Sequence, residues 1–259
     1  MNALILAAGR GTRIESATHG RPKCLLTFGE RTILDYQIEG LRAAGVAQIG
    51  IVIGHNGGQI VDHINRNYVH CRSMFHIVPN PWFATTNNIY SLWLAREWLA
   101  NQNFMCLNAD VLCHPDILLP AAMPVAPVSM IVDPEWRDET MKVIIRDGRV
   151  VRMSKAITRS EYSATYMGIT TFSRTILPAL FREIGTMLDD GLVNEFFNSA
   201  VQRLVGHGLC VGYTPTLGLP WAEIDDPADL HYAQTSVEPL LSEVFRGRLK
   251  RQAPIPAVA

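Results

Sequence analysis

Short apolar runs alternate with stretches of helical periodicity through the first half of the chain. The apolar runs predict buried strands at residues 3–7, 49–53, 74–78 and 104–107. Between them, the pattern predicts helices over residues 32–44, with Thr32 as the N-cap and Gly45 as the stop, over 59–68 and over 87–99. Alternation of this kind favours right-handed crossovers and a mainly parallel sheet covered on both faces.

The second half of the chain has a different pattern, which predicts an antiparallel extension of that sheet. Strands are predicted at 128–132, 142–145, 150–153, 165–172 and 209–213, and helices at 174–184, 193–205 and 227–250. An Asp147-Gly148 turn joins two of these strands into a hairpin, and the last helical region is expected to break near Pro239. We therefore expect one Rossmann-like, three-layer α/β domain over residues 1–259, with a mixed, mainly parallel sheet and a small hairpin extension or lid over 126–172.

Composition and charge narrow the class of protein. With 48% hydrophobic and 18% charged residues, the chain is not intrinsically disordered. A formal net charge of −1 gives no basic excess for nucleic acid, and no apolar run approaches the roughly 20 residues that a membrane span needs. The five cysteines form no C-x-x-C pair, and the first residues do not read as a signal peptide. A cytoplasmic protein with reduced thiols is expected, without nucleic-acid or membrane partners.

A glycine-rich loop follows the first predicted strand, in Leu-Ala-Ala-Gly-Arg-Gly-Thr-Arg, and Arg-Pro-Lys-Cys-Leu comes shortly after it. Nucleotides bind at such loops in open α/β sheets. Gly9 and Gly11 allow close approach of the backbone, and Arg13 and Lys23 supply cations for a triphosphate. The alternative is an ordinary strand-to-loop turn that happens to contain glycines.

Two widespread nucleotide motifs are absent. Ile14 stands where a dinucleotide fingerprint needs its third glycine, and no Gly-Lys-Ser/Thr follows. The complete string instead resembles the signature of the nucleotidyltransferase superfamily that makes NDP-sugars and related activated alcohols. That resemblance implies the nucleotide-diphospho-sugar transferase fold, with Lys23 and Arg13 as catalytic residues. It also implies a nucleotide-binding set of Leu6, Ala7, Ala8, Gly9, Gly11, Thr12 and Asn108.

Nucleotidyl transfer depends on positioning and on neutralising negative charge, so carboxylates that hold Mg²⁺ are needed. Asp110 follows the predicted strand 104–107, and Glu223 and Asp225 lie far along the chain, in Trp-Ala-Glu-Ile-Asp-Asp-Pro. Mg²⁺ usually takes one or two protein carboxylates together with phosphate oxygens and water. Alternatively, Asp110 caps a strand end, and Asp225 or Asp226 caps the helix that begins at Pro227.

The segment Asn-Asn-Ile-Tyr-Ser-Leu at 87–92 narrows the resemblance. Together with Trp-Ala-Glu-Ile-Asp, it resembles the CTP:phosphocholine cytidylyltransferase branch, which also includes enzymes that cytidylylate small phosphonates. Polar side chains at a helix start can contact a pyrimidine edge, so Asn88 and Ser91 are candidates for cytosine contacts. Tyr90, Leu92 and Trp93 have helix packing as their alternative role.

Residues 133–143 resemble the acceptor-side segment of the same branch. An aromatic ring with nearby carboxylates can hold an ammonium group, and the alternative is an exposed charged loop. Two acids typical of related phosphonate enzymes are absent, since Thr165 and Asn198 stand in their places. Their loss favours an acceptor that is neutral or anionic beyond its phosphonate, unless Glu195 compensates. The candidate acceptor-binding residues are Trp136, Asp138, Glu139, Lys142, Lys155, Tyr166 and Glu195.

These features predict a Mg²⁺-dependent cytidylyltransferase that joins CTP to a small phosphonate or phosphomonoester and releases pyrophosphate. Phosphonoformate, a hydroxyalkylphosphonate, 2-aminoethylphosphonate and phosphocholine are the acceptor types considered. One alternative is a sugar-1-phosphate nucleotidyltransferase that uses UTP, dTTP or GTP. A second is a catalytically silent, nucleotide-binding regulatory module on the same fold. The oligomeric state stays open, with a homodimer as one option.

Overall fold

A mixed nine-stranded sheet forms the centre of the computed structural model, which describes residues 1–123 and 125–252. The strands are β1 Asn2–Ala7, β2 Thr27–Phe28, β3 Arg31–Thr32, β4 Gln48–Ile53, β5 Phe75–Pro79, β6 Phe104–Asn108, β7 Val111–Cys113, β8 Val128–Asp133, β9 Lys142–Arg146, β10 Arg149–Ser154, β11 Ala164–Phe172, β12 Val211–Pro215 and β13 Trp221–Glu223. The helices are α1 Glu15–Thr18, α2 Ile33–Ala43, α3 Gly57–Asn67, α4 Asn88–Leu94, α5 Arg96–Leu99, α6 Leu118–Ala121, α7 Leu177–Asp189, α8 Phe197–Gly206, α9 Pro227–Tyr232 and α10 Glu238–Gln252.

The strand order explains how the two halves of the chain meet. The sheet runs β10-β9-β11-β6-β1-β4-β5, and β8 pairs with both β11 and β12. Strands β6, β1, β4 and β5 are parallel to one another, whereas β11 is antiparallel to β6, β8 and β9. The predicted α/β class, with a parallel centre and an antiparallel extension, is confirmed.

Both faces of the sheet are buried, which is why its strands are apolar at successive positions rather than at every second one. On β1, Leu4 and Leu6 pack on one side with residues of α4, α7 and α8. Ala3 and Ile5 pack on the other side with residues of α2 and α3. The predicted three-layer arrangement follows from this alternation.

The hairpin formed by β9 and β10 turns at Asp147 and Gly148, as the sequence predicts. Both residues have positive φ, 50° and 72°, which is the backbone of a two-residue type I′ turn. The flanking residues Arg146 and Arg149 pair directly across the turn. Strands β8 to β11 all belong to the central sheet.

Several helix boundaries differ from the predicted ones. The helix predicted over 87–99 is divided at Ala95, and those predicted from 174 and 193 begin at Leu177 and Phe197. The closing helical region continues through Pro239, and its irregularity is a π-helical turn at Ala233–Val237. A π turn directly before proline fits the missing proline N–H, which removes one helical hydrogen bond. Within the described residues, no helix is both long and apolar enough to span a membrane.

A buried carboxylate fixes the start of helix α2. Thr32 and Asp35 form a reciprocal capping box, as expected for a threonine N-cap. The second oxygen of Asp35, Oδ1, accepts hydrogen bonds from Tyr68 and His63, each at 2.7 Å. Asp35 therefore links α2 to α3, through His63, and to Tyr68, the residue directly after α3.

Replacing Asp35 by asparagine is expected to lower the free energy of unfolding by about 2 kcal/mol at neutral pH. Burial opposes ionisation, but the hydrogen bonds from His63, Thr32 and Tyr68 outweigh it and lower the pKa of Asp35 to about 2. Because an unfolded aspartate titrates near 3.9, the stabilisation is complete above about pH 4 and is lost as the pH falls toward 2. Urea unfolding of both proteins at about pH 6 and about pH 3 measures this effect. An equal difference at both pH values would contradict it.

Candidate active site

A cavity opens at the carboxyl ends of β1 and β6, where open α/β sheets bind their ligands. The predicted loop after β1 forms one side of it, and Leu6, Ala7, Ala8, Gly9 and Gly11 all line it. Gly11 has a φ of 62°, in the left-handed region that favours glycine. Thr12, which the resemblance placed in the nucleotide-binding set, is exposed and lies outside the lining.

The ammonium group of Lys23 lies between two carboxylates in this cavity. Its Nζ is 3.0 Å from Oδ2 of Asp110 and 2.7 Å from Oδ1 of Asp225. Arg13 contacts the other oxygen of Asp225 at 2.8 Å and Glu139 at 3.2 Å. Although burial opposes the charge on Lys23, the charges of Asp110 and Asp225 raise its pKa above the ordinary value. Lys23 is therefore a permanent cation at neutral pH.

A short two-stranded ribbon brings these distant residues together. Strand β13 pairs with β7 in antiparallel register, with Glu223 opposite Val111. The ribbon continues through a hydrogen bond from the backbone N–H of Ile224 to the carbonyl of Asp110, at 3.0 Å. This pairing places Asp225 beside Asp110. Asp226 is the N-cap of α9, with its side chain accepting from two backbone N–H groups, so the capping alternative applies to Asp226.

Glu223 is the third carboxylate of the cavity. Burial first, and then the negative charges of Asp110 and Asp225, raise the pKa of Glu223 to about 8. The side-chain amide of Asn108 donates to Glu223 at 3.4 Å. Gly168 leaves room for Asn108, because a Cβ at residue 168 would lie 3.0 Å from the Asn108 amide nitrogen. Without a bound cation, Glu223 is therefore mostly protonated at neutral pH.

The donor set suits a magnesium ion held by few protein ligands. Oδ1 of Asp110 is buried and has no hydrogen-bond partner among the described residues. No three His, Cys, Asp or Glu side chains in residues 1–123 and 125–252 surround one common point. Mg²⁺ needs only one or two protein carboxylates when phosphate oxygens and water complete its shell. Asp110 and Asp225 meet that requirement, and Glu223 lies next to them.

The helix α4 supplies the polar residues expected to contact a base. Asn88 and Ser91 both line the cavity. The side-chain oxygen of Asn88, Oδ1, accepts from the backbone N–H of Phe197 at 2.8 Å, and the Ser91 hydroxyl accepts from the side-chain amide of Asn80 at 3.2 Å. Asn80 and the helix N-cap Asn87 also line the cavity, although the sequence analysis did not select them. Their position at a strand end and a helix start is the signal that could have identified them.

The predicted acceptor residues do not lie together in the structure. Lys155 and Tyr166 line the cavity, whereas Trp136, Lys142 and Glu195 do not. Asp138 and Glu139 lie instead in a neighbouring acidic groove, which also reaches Glu223 and Asp225.

Contacts within the protein explain why Trp136 and Lys142 lie elsewhere. The Trp136 indole N–H donates to Asp138 at 2.7 Å. Its ring is within 4.6 Å of the Lys142 ammonium and 4.8 Å of the Arg159 guanidinium, so cations of this chain already occupy it. Lys142 is buried and donates to the backbone carbonyls of Asp138 and Thr140.

Thr165 and Asn198, which replace the two expected acids, lie in different places. Asn198 lines the cavity, but Thr165 is buried outside it and donates to the carbonyl of Glu135 at 2.6 Å. The carboxylate of Glu195 accepts from the Ser199 hydroxyl at 3.0 Å and stays outside the lining. Of the two positions, only Asn198 can therefore influence a ligand in this cavity directly.

An α/β sheet with a glycine loop, three cations and three carboxylates at one cavity is suited to binding a nucleotide and to reactions at its phosphate groups. Residues 3–168 match the family model of the MobA-like NTP transferase domain, and the chain belongs to that family.

Two characterised relatives cover most of this chain. It is 26% identical to the CTP:phosphoglutamine cytidylyltransferase of Campylobacter jejuni over 255 residues, which is 89% of this chain and 98% of that protein. It is 28% identical to the CMP-5'-(3-aminopropyl)phosphonate synthase of Streptomyces rubellomurinus over 253 residues, which is 92% of this chain and 39% of that protein's own length.

Solved structures show the same fold. The inositol-1-phosphate CTP transferase from T. maritima superposes with a TM-score of 0.78 at 21% identity, covering 95% of this chain and 96% of that one. The CTP:phosphocholine cytidylyltransferase from Streptococcus pneumoniae gives a TM-score of 0.72 at 23% identity, covering 90% and 97%. These structures confirm the predicted fold, and the match to the family model over residues 3–168 confirms the predicted family.

Proposed function

We propose that the chain is a magnesium-dependent cytidylyltransferase that transfers CMP from CTP to a small phosphonate or phosphomonoester. An oxygen of the acceptor attacks the α-phosphorus of CTP, and a new P–O bond forms. The bond from the α-phosphorus to the bridging oxygen breaks, and pyrophosphate leaves with that oxygen. We also propose that the reaction takes place in the cytoplasm, where the free cysteines remain reduced.

The observation that carries this proposal is the position of Lys23 between Asp110 and Asp225, beside the glycine loop. Phosphoryl and nucleotidyl transfer require little covalent chemistry from the protein, so preorganised charge is the main contribution. Lys23 and Arg13 supply fixed positive charge for the phosphate oxygens. The small residues of the loop allow the nucleotide to approach the backbone closely.

The carboxylates of Asp110 and Asp225 would hold Mg²⁺, with Glu223 beside them. When bound, the ion neutralises the charge of the triphosphate and of the leaving pyrophosphate. The protein's own part is to hold Lys23 and Arg13 in place, which Asp225 does through contacts to both at 2.7 and 2.8 Å. Lys155, which also lines the cavity, provides a cation for the acceptor's phosphonate or phosphate group.

The choice of CTP is supported by the names of the relatives and by the amide and hydroxyl groups of Asn88 and Ser91 in the lining. A panel of CTP, UTP, dTTP and GTP with pyrophosphate detection tests it. The acceptors are phosphocholine, 2-aminoethylphosphonate, a hydroxyalkylphosphonate, phosphonoformate and glucose 1-phosphate. We expect turnover with CTP and at least one of the first four compounds. Efficient turnover of UTP or dTTP with glucose 1-phosphate would instead identify a sugar-1-phosphate nucleotidyltransferase.

A further inference from the structure

One wall of the cavity carries no carboxylate in the part of the chain that the structure describes. This acceptor wall consists of Met141, Lys155, Tyr166, Phe196 and Asn198. The carboxylates of the cavity come from other elements, namely the turn after β6 and the end of the β7–β13 ribbon. The loop after β1 and helix α4 supply the proposed nucleotide side. The acceptor wall is thus left for the second substrate.

Asn198 is the polar residue of this wall whose hydrogen bonding is incomplete. It lies at the start of α8 and is only 4% exposed. Its amide nitrogen makes no hydrogen bond of good geometry among the described residues, although it lies close enough to the Tyr166 hydroxyl to interact with it. A buried donor without a partner is destabilising by about 1–3 kcal/mol, so such groups are rare unless a ligand satisfies them. The neighbouring hydroxyl of Tyr166 is paired with Thr170 at 2.8 Å.

The position of Asn198 is fixed by its neighbour on the chain. The backbone N–H of Phe197 donates to the side-chain oxygen of Asn88 at 2.8 Å, which ties the start of α8 to α4. The backbone of α8 next to Asn198 is therefore held in place, which limits where the Asn198 amide can lie before a ligand binds. Hydrogen-bonding groups that are held in this way discriminate strongly between ligands that satisfy them and ligands that do not.

Charge on the acceptor wall disfavours a second cation. The Lys155 ammonium lies 5.6 Å from the centre of the Phe196 ring at this wall. Glu195, the nearest acid on the chain, is engaged by Ser199 outside the lining. An ammonium group on the acceptor would therefore meet a like charge and an amide donor, without a carboxylate on the wall to pair with.

We infer that Asn198 determines acceptor specificity by donating a hydrogen bond to an oxygen on the acceptor's second functional group. The acceptor class is a small phosphonate or phosphomonoester that carries a hydroxyl or carboxylate rather than an ammonium. This inference rests on the proposed function and adds the chemistry of the acceptor to it.

The test compares 2-hydroxyethylphosphonate with 2-aminoethylphosphonate, which differ only in the terminal group. With CTP and magnesium, wild-type kcat/KM is expected to be at least about tenfold higher for the hydroxyl compound. Asn198→Leu is expected to raise the KM for the hydroxyl compound about tenfold and to abolish the preference. The KM for CTP should stay unchanged. Because the amide makes no hydrogen bond of good geometry within the protein, the Tm of Asn198→Leu should stay close to that of wild type.

Ser199→Ala is the matched control, since it changes the next residue of α8 and removes the bond to Glu195 outside the cavity. It should keep the wild-type preference. A wild-type preference for the amine, or an Asn198→Leu variant with an unchanged ratio between the two acceptors, would overturn the inference while leaving cytidylyl transfer intact. Absence of CTP-dependent pyrophosphate release with every phosphonate and phosphate acceptor would overturn the proposed function, and this inference with it.

Discussion

Replacing Asp225 by asparagine is expected to reduce kcat for nucleotidyl transfer by about a hundred- to a thousand-fold. The substitution keeps the size of the side chain but removes the charge that holds Lys23 at 2.7 Å and Arg13 at 2.8 Å. It also removes one of the two carboxylates proposed for magnesium. Steady-state pyrophosphate release at saturating CTP and magnesium measures the loss.

CTP binding separates this effect from a general disruption of the cavity. Measured by calorimetry without magnesium, the affinity of Asp225→Asn for CTP should equal or exceed that of wild type, because a negative charge has left the phosphate site. Asp226→Asn is the matched control, since Asp226 caps α9 and asparagine is an equally good N-cap. A kcat for Asp225→Asn within about threefold of wild type would contradict the assignment of this residue.

Replacing Lys23 by methionine is expected to lower kcat/KM by about a thousand-fold and to destabilise the fold by about 1–3 kcal/mol. Methionine keeps the apolar stem but removes the cation that lies between Asp110 and Asp225, so that only Arg13, which contacts Asp225 at 2.8 Å, still offsets their charge. The two carboxylates are mostly buried, with side chains 22% and 24% exposed, so solvent only partly screens their repulsion. Urea unfolding and steady-state kinetics measure the two effects.

Magnesium added without nucleotide should separate the contribution of Lys23 to stability from its contribution to catalysis. Added without nucleotide, it is expected to raise the Tm of Lys23→Met more than that of wild type, because the ion can replace the lost charge between the carboxylates. Turnover should stay low. Arg66→Met, which removes an exposed cation on α3, is the control and should match wild type in both measurements. An equal magnesium effect on all three proteins would count against the carboxylate pair as a cation site.

The fold was largely predictable because its strands are continuous apolar runs. The strand predicted at 104–107 differs from β6 by one residue, and the one at 3–7 differs from β1 by one residue. Helix α2 begins where Thr32 predicts it, since an N-cap residue is a local signal. The turn at Asp147 and Gly148 is local in the same sense.

The ribbon of β7 and β13 was not predictable from local patterns. Each strand has three residues, too few to show a periodicity, and they pair across about a hundred residues of sequence. The joint position of Asp110 and Asp225 was nevertheless expected, because the resemblance supplied a non-local relation that the residue pattern lacks.

On the acceptor side, the motif at residues 133–143 identifies candidate residues but does not determine their contacts in the fold. An aromatic residue among acids suggests a cation site, but the sequence does not say which cation covers the ring. At Trp136 the ring is taken by Lys142 and Arg159 of the same chain. Conversely, the sequence indicates only that Asn198 stands in the place of an acid, whereas the incomplete hydrogen bonding of its buried amide is a feature of the folded structure. Unsatisfied buried groups are a property of packing rather than of sequence.

We propose that this cavity transfers a cytidylyl group to a phosphonate or phosphate oxygen. Phosphorus NMR of the products from CTP, magnesium and a hydroxyalkylphosphonate tests it most directly. We predict equal amounts of pyrophosphate and a mixed anhydride of CMP and the phosphonate, and neither product with Asp225→Asn. Release of inorganic phosphate with CDP, or formation of a nucleotide sugar from dTTP and glucose 1-phosphate in place of the anhydride, would contradict it.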